Sequence, residues 1–111
     1  MGIGKPRVER ATGAAAIATS VTVDKPSQLD SVRLHMDAVG GASENFTVTI
    51  NSAAADVYDT LIFSQDMTAV QDICWNPDPP ISIMFNDVID VAYNNGNART
   101  YGLEVIYEPE Y

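Results

Sequence analysis

The chain has one cysteine, Cys74, and one histidine, His35. A lone cysteine excludes an intramolecular disulfide. So few sulfur and imidazole groups also exclude the zinc sites that draw several such ligands together. Packing and strand pairing must hold the fold. Cations are scarce as well: six Lys and Arg stand against fifteen Asp and Glu, for a net charge of −9. Their placement is uneven. Residues 1–33 hold five cations against Glu9, Asp24 and Asp30, a balance of +2, whereas residues 34–111 hold Arg99 alone against twelve acids, a balance of −11. So acidic a body repels phosphate backbones, which argues against nucleic acid as a partner. No apolar run approaches the ~20 residues of a membrane-spanning helix, and none is expected to meet a membrane. Ala14-Ala15-Ala16-Ile17-Ala18 follows basic residues as in a signal peptide, but it is short, lacks leucine and is flanked by Thr and Ser, so no cleaved leader is expected.

What the sequence does have is 46% apolar residues in 111 positions, enough for one packed domain. From residue 17 onward these residues alternate with polar ones, the period of a half-buried strand. Ile17, Thr19, Val21 and Val23 form one such run. Val32, Leu34, Met36 and Ala38 alternate with Ser31, Arg33, His35 and Asp37; Phe46, Val48 and Ile50 alternate with Thr47, Thr49 and Asn51. With Gly40-Gly41-Ala42-Ser43 between them, the last two runs predict an antiparallel hairpin. Residues 52–59 predict a turn or one helical loop, and Tyr58 to Phe63 a buried strand. Val70, Ile73 and Trp75 predict another, ended by Asn76-Pro77-Asp78-Pro79-Pro80. Ile81, Ile83 and Phe85 follow, then a turn at Asn86-Asp87 and a strand over Val88 to Tyr93. Asn95-Gly96 fits the centre of a type I′ turn, and Tyr101, Leu103, Val105 and Tyr107 mark the last strand. About eight short strands without an amphipathic helix predict an all-β, antiparallel β-sandwich of jelly-roll type. The expected organisation is an extended N-terminal arm over 1–16 and a single sandwich domain over 17–111. Within the arm, Lys5, Arg7 and Arg10 are the candidate assembly residues, suited to an acidic neighbour such as another copy of the body.

The residue types of catalysis do not assemble. His35 falls on the solvent phase of its strand between Arg33 and Asp37, and Cys74 beside Trp75 is expected in the core as a small apolar residue. Carboxylates are too numerous to single out a pair. Asn86, Asp87 and Asp90 group hard oxygen ligands but lack EF-hand spacing, so a solvated loop edge is expected there rather than calcium. Tyr93, Tyr101, Tyr107 and Tyr111 could form a carbohydrate platform, but three of them fall on core phases. No enzyme, no cofactor and no metal is expected.

Several segments resemble small virion proteins of tailed bacteriophages: Ala38-Val39-Gly40-Gly41-Ala42-Ser43-Glu44-Asn45-Phe46-Thr47-Val48, Phe63-Ser64-Gln65-Asp66-Met67, Trp75 with the Asn-Pro-Asp-Pro-Pro that follows it, Asp87-Val88-Ile89, and Arg99-Thr100-Tyr101-Gly102-Leu103-Glu104-Val105. The resemblance spans roughly residues 30–108. It implies a jelly-roll or related sandwich that decorates or cements a capsid, often as a trimer, made in the host cytoplasm and carried on the virion's capsid surface. The implied partners are the major capsid protein and further copies of the chain. A tail or fibre component is the nearest alternative, and a non-catalytic carbohydrate-binding module is the alternative from another class.

Overall fold

In the computed structural model, which describes residues 5–110, the alternating runs become nine strands. They are β1 (Arg7–Gly13), β2 (Ile17–Thr22), β3 (Ser27–Met36), β4 (Asn45–Asn51), β5 (Thr60–Asp66), β6 (Asp72–Trp75), β7 (Ile81–Ile83), β8 (Val88–Tyr93) and β9 (Tyr101–Pro109). One turn of 3₁₀ helix covers Asp56–Tyr58. All pairings are antiparallel. One sheet runs β1-β9-β3-β6, with β7 on the same edge of β3 as β6, and the other runs β2-β8-β4-β5. The chain changes sheet at six of its eight connections, and the order β1-β9-β3-β6 facing β2-β8-β4-β5 is that of a jelly roll.

The core is the set of inward phases facing each other across the two sheets. Val32, Leu34 and Met36 from β3, Phe46 and Val48 from β4, Ile89 and Val91 from β8, and Leu103 and Val105 from β9 are all buried. Register explains how they meet: Leu34 lies opposite Leu103 and Val32 opposite Val105 in one sheet, Val48 opposite Val91 in the other. Burial at about 25 cal/mol per Å² of apolar surface makes this the main source of stability.

Several local expectations are corrected. The runs at 32–38 and 46–50 do not form a hairpin, because β3 and β4 lie in different sheets. The Gly40-Gly41 segment crosses between them. A Cβ on Gly40 would stand 2.5 Å from the Met67 carbonyl oxygen and 2.6 Å from the Tyr93 hydroxyl, and Gly41 has φ +79°, so only glycine passes here without strain. Likewise Asn94 to Thr100 joins β8 to β9 across sheets. Positive φ falls on Asn95 and Ala98 and not on Gly96, so the turn is not type I′. The stretch from Tyr58 to Phe63 is not a buried strand. β5 is an edge strand with a bulge between Val48 and Thr49 of its partner, its side chains exposed or half-buried. Trp75 is half-buried at the opposite sheet's edge, its ring stacked on Phe63 at 4.8 Å.

The N-terminal segment differs most from the arm expected over 1–16. Residues 1–4 lie outside the described residues, but Arg7–Gly13 is β1, paired along its length with β9. Its alternation was invisible because its core-facing phase is Arg7, Glu9, Ala11 and Gly13, opposite the buried Tyr107, Val105, Leu103 and Tyr101. Of these four, Ala11 alone packs against the core. Charged residues on the inward phase of an edge strand are a known guard against edge-to-edge pairing.

Candidate functional site

Strand directions give the sandwich two ends of different character. One end gathers residues 14–16, 37–44, 67–71 and 94–100, and polar side chains tie these loops together. Asn95 Nδ2 donates to the Ala15 and Arg99 carbonyls at 2.9 and 3.0 Å. Arg99 Nε donates to the Val39 carbonyl at 2.8 Å, and Asn97 Nδ2 to that of Gly40 at 2.8 Å. Glu44 accepts from the Asn94 side chain at 2.6 Å and from the Gly96 N–H at 2.9 Å. Asp66, in the same region, accepts from the Thr68 hydroxyl and N–H and from the Ser43 hydroxyl. The Thr68 bonds first, then Ser43, hold its carboxyl below the ordinary range.

The other end gathers residues 23–26, 52–59 and 84–87, and it is apolar on its surface. Seven large hydrophobic side chains of the described residues are exposed, and five of them, Val57, Tyr58, Leu61, Met84 and Phe85, belong to the last two loops or the start of β5. Tyr58, Met84 and Phe85 share a groove of about 610 Å³ with Ala53 and Ala54. Such clustering marks an interaction surface, whereas singly scattered apolar residues do not.

The loops that carry this patch are held by polar bonds and not by burying their own apolar groups. Within 52–59, the Ser52 N–H donates to the Asp59 carboxylate at 2.7 Å and the Ala54 N–H to the Ser52 hydroxyl at 3.0 Å. No residue of the 3₁₀ turn is buried. Asp87 joins the two loops. Its carboxylate accepts the Ala53 N–H at 3.0 Å and the Met84 N–H at 3.2 Å, and Asn86 takes φ +66° to make the turn. Asp87 is therefore buried, not part of the solvated edge expected from its neighbours. Asp90 instead accepts from the Ser20 hydroxyl.

The other candidates are placed as follows. Arg10 donates through Nε to Glu104 at 2.7 Å, and Arg7 lies 3.5 Å from Asp24. Both thus engage their own chain, and Lys5 is exposed just before β1. His35 is exposed, paired with Asp72 on the neighbouring strand. Cys74 is exposed, which corrects its expected place in the core: it shares a phase with Arg33, opposite it in register, and points away from the sandwich. Tyr93, Tyr101 and Tyr107 are buried, while Tyr111 lies outside the described residues. Burial raises the Tyr93 hydroxyl above its ordinary value, reinforced by the charge of Glu44. Among the described residues no three His, Cys, Asp or Glu side chains group as metal ligands, and no helix is long and apolar enough to cross a membrane.

The residues of the apolar end were missed as a site. The sequence pattern places Tyr58 and Leu61 in a buried strand, and Phe85 in the phase of Ile81 and Ile83. The available signal was the Asn86-Asp87 turn, which leaves Met84 and Phe85 in a loop where alternation no longer reports burial. No protein-family model matches the chain, and no curated protein matches it either.

Proposed function

We propose that this protein is a non-catalytic structural component of a tailed-phage virion, a decoration or cement protein that lays its apolar end on the major capsid protein. The observation that carries this reading is the cluster of Val57, Tyr58, Leu61, Met84 and Phe85 at one end of the sandwich. The segment resemblance described above supplies the partner class. Burying a large apolar side chain fully is worth about 1.5–3 kcal/mol, so five that are on average about two-thirds exposed give a gross gain on the order of 5–10 kcal/mol. Association costs about 4–15 kcal/mol. The patch is thus necessary without being sufficient, and a rim that includes Asp56 and Asp59 must also find cationic or hydrogen-bonding partners. Stabilisation of the shell follows from area buried across its subunit boundaries; no bond is made or broken.

The test is co-sedimentation of purified protein with undecorated particles. Met84→Ser and Phe85→Ser, both at exposed positions, should leave the melting temperature nearly unchanged and lower particle occupancy together. Full occupancy by the double variant would remove the apolar end from the interface. A second reading has one observation in its favour: Tyr58 and Phe85 line the same groove, and exposed aromatic rings can stack on sugars. In that case soluble glycans, and not undecorated particles, would bind the wild type and fail to bind Phe85→Ser.

A further inference from the structure

The outer face of the β1-β9-β3-β6 sheet changes charge along its strands. Register sets its residues in rows. Thr12, Gly102, His35 and Asp72 form the first, then Arg10, Glu104, Arg33 and Cys74, then Val8, Ile106 and Ser31, and last Glu108 and Gln28, with Asp30 in the bulge beside them. In the second row two guanidiniums share one carboxylate, at 2.7 and 3.6 Å, and both Arg side chains remain more than half exposed. One positive charge is in excess there. In the last row two carboxyls lie together, and the neighbouring Asp30 carboxyl, then burial, then Asp30's charge raise the pKa of Glu108. Glu110 continues the same phase. Between the poles, the Val8–Ile106 row is uncharged, with Val8 exposed and Ile106 half-buried.

Ile106 lies midway between these poles. Glu104 stands two residues before it and Glu108 two after; Gly102 stands four before and Glu110 four after. A two-fold axis lying in the plane of the face and crossing the strands at Ile106 therefore sets the Arg10–Arg33 row against the Asp30–Glu108 row of a second copy. The same operation repeats the contact in the opposite sense, as an isologous interface requires. It also sets Glu110 over Gly102. There the face has a hollow of about 550 Å³, lined in part by Arg10, Thr12, His35 and Arg33, and a Cβ on Gly102 would meet nothing within 4 Å.

We infer that this face is self-complementary and docks a second copy of the chain about a two-fold axis at Ile106, the Arg10 and Arg33 guanidiniums of one copy bracketing the Asp30 and Glu108 carboxyls of the other. Arg10 has donors left after its bond to Glu104, and Arg33, paired with Glu104 at 3.6 Å, keeps all of its own, so an arriving carboxyl is held on both sides and shielded from Glu104. The apolar end contributes nothing to this face. The two ends of a pair point in opposite directions, so a pair offers a common surface one apolar end at a time.

Sedimentation of the full chain over a range of concentrations tests this. The wild type should rise from 12.0 kDa toward twice that mass, less readily as salt increases. Gly102→Leu fills the hollow without disturbing the monomer, so it should melt like the wild type yet stay monomeric. Arg33→Glu and Glu108→Arg should each weaken the pair by about tenfold or more, and the chain carrying both should recover it. A wild type that stays monomeric at every concentration overturns the proposal. So does a pair that survives Gly102→Leu, a charge-exchanged chain that fails to recover, or an assembly of another stoichiometry.

Discussion

Replacing Asp87 with Ala removes the carboxylate that joins the two loops of the apolar end. It accepts the Ala53 N–H at 3.0 Å and the Met84 N–H at 3.2 Å, and it is only 8% exposed. Hydrogen bonds to a charged acceptor contribute about 1.5–3 kcal/mol each, and a buried donor left without a partner adds to the loss. Both donors sit near the surface, where water replaces part of what is removed, so a total of about 2–4 kcal/mol is expected. At about 4 °C per kcal/mol for a domain of this size, the melting temperature falls by about 8–16 °C. Asp87→Asn keeps one carbonyl oxygen and turns an amide N–H toward the other donor, so it should lose roughly half as much. Thermal unfolding followed by circular dichroism measures the loss, and amide exchange at Ala53 and Met84 locates it. A change below about 0.5 kcal/mol with exchange at both amides unaltered would refute the clamp, since surface substitutions without structural roles fall in that range.

Leu103, 1% exposed and opposite Leu34, should cost about 2–5 kcal/mol when replaced by Ala, through lost burial and the cavity left behind; chemical denaturation reads this directly. Deleting residues 2–13 should lower the melting temperature, because β9 then becomes a sheet edge over buried Leu103 and Val105; an unchanged melt would show that β1 adds nothing to the body. Glu108 has a folded pKa raised above its ordinary 4.5 by its contact with Asp30. Its favourable contribution is complete below the unfolded value and is lost as pH rises through the folded one. Glu108→Gln should therefore be more stable than the wild type at neutral pH and lose that advantage below about pH 4, measured by melting at concentrations too low for self-association.

Legibility in the sequence followed where one face of a strand meets the core. β3, β4, β8 and β9 are central strands, and their inward residues alternate cleanly because a one-residue slip would place Leu34, Val48 or Leu103 in water. The edge strands β1 and β5 carry no such constraint, whereas the edge strand β2 keeps Ile17 and Val21 inward. β1 puts Arg7 and Glu9 on its inward phase, and β5 puts Leu61 on the surface, so composition there misled in both directions. The hairpin inferred at Gly40-Gly41 and the type I′ turn inferred at Asn95-Gly96 fail for a related reason. Turn residues report that the chain reverses, but not whether it returns to its own sheet or crosses to the other. The apolar neighbours of Cys74 point to the core, although its register with Arg33 sets it outward. The candidate site was the least legible part, since it is built from loop residues whose exposure depends on the Asp87 bonds across 34 positions of chain.

The measurement that bears most directly on the proposed function is a cryo-EM map of particles decorated with the full chain. Docking through the apolar end predicts residues 52–59 and 84–87 against the shell, with Tyr58, Met84 and Phe85 covered by the major capsid protein and the polar loops at 37–44 and 94–100 facing solvent. A map in which the polar end meets the shell and Phe85 points outward, or particles that bear no density for the chain at saturating concentration, would contradict it.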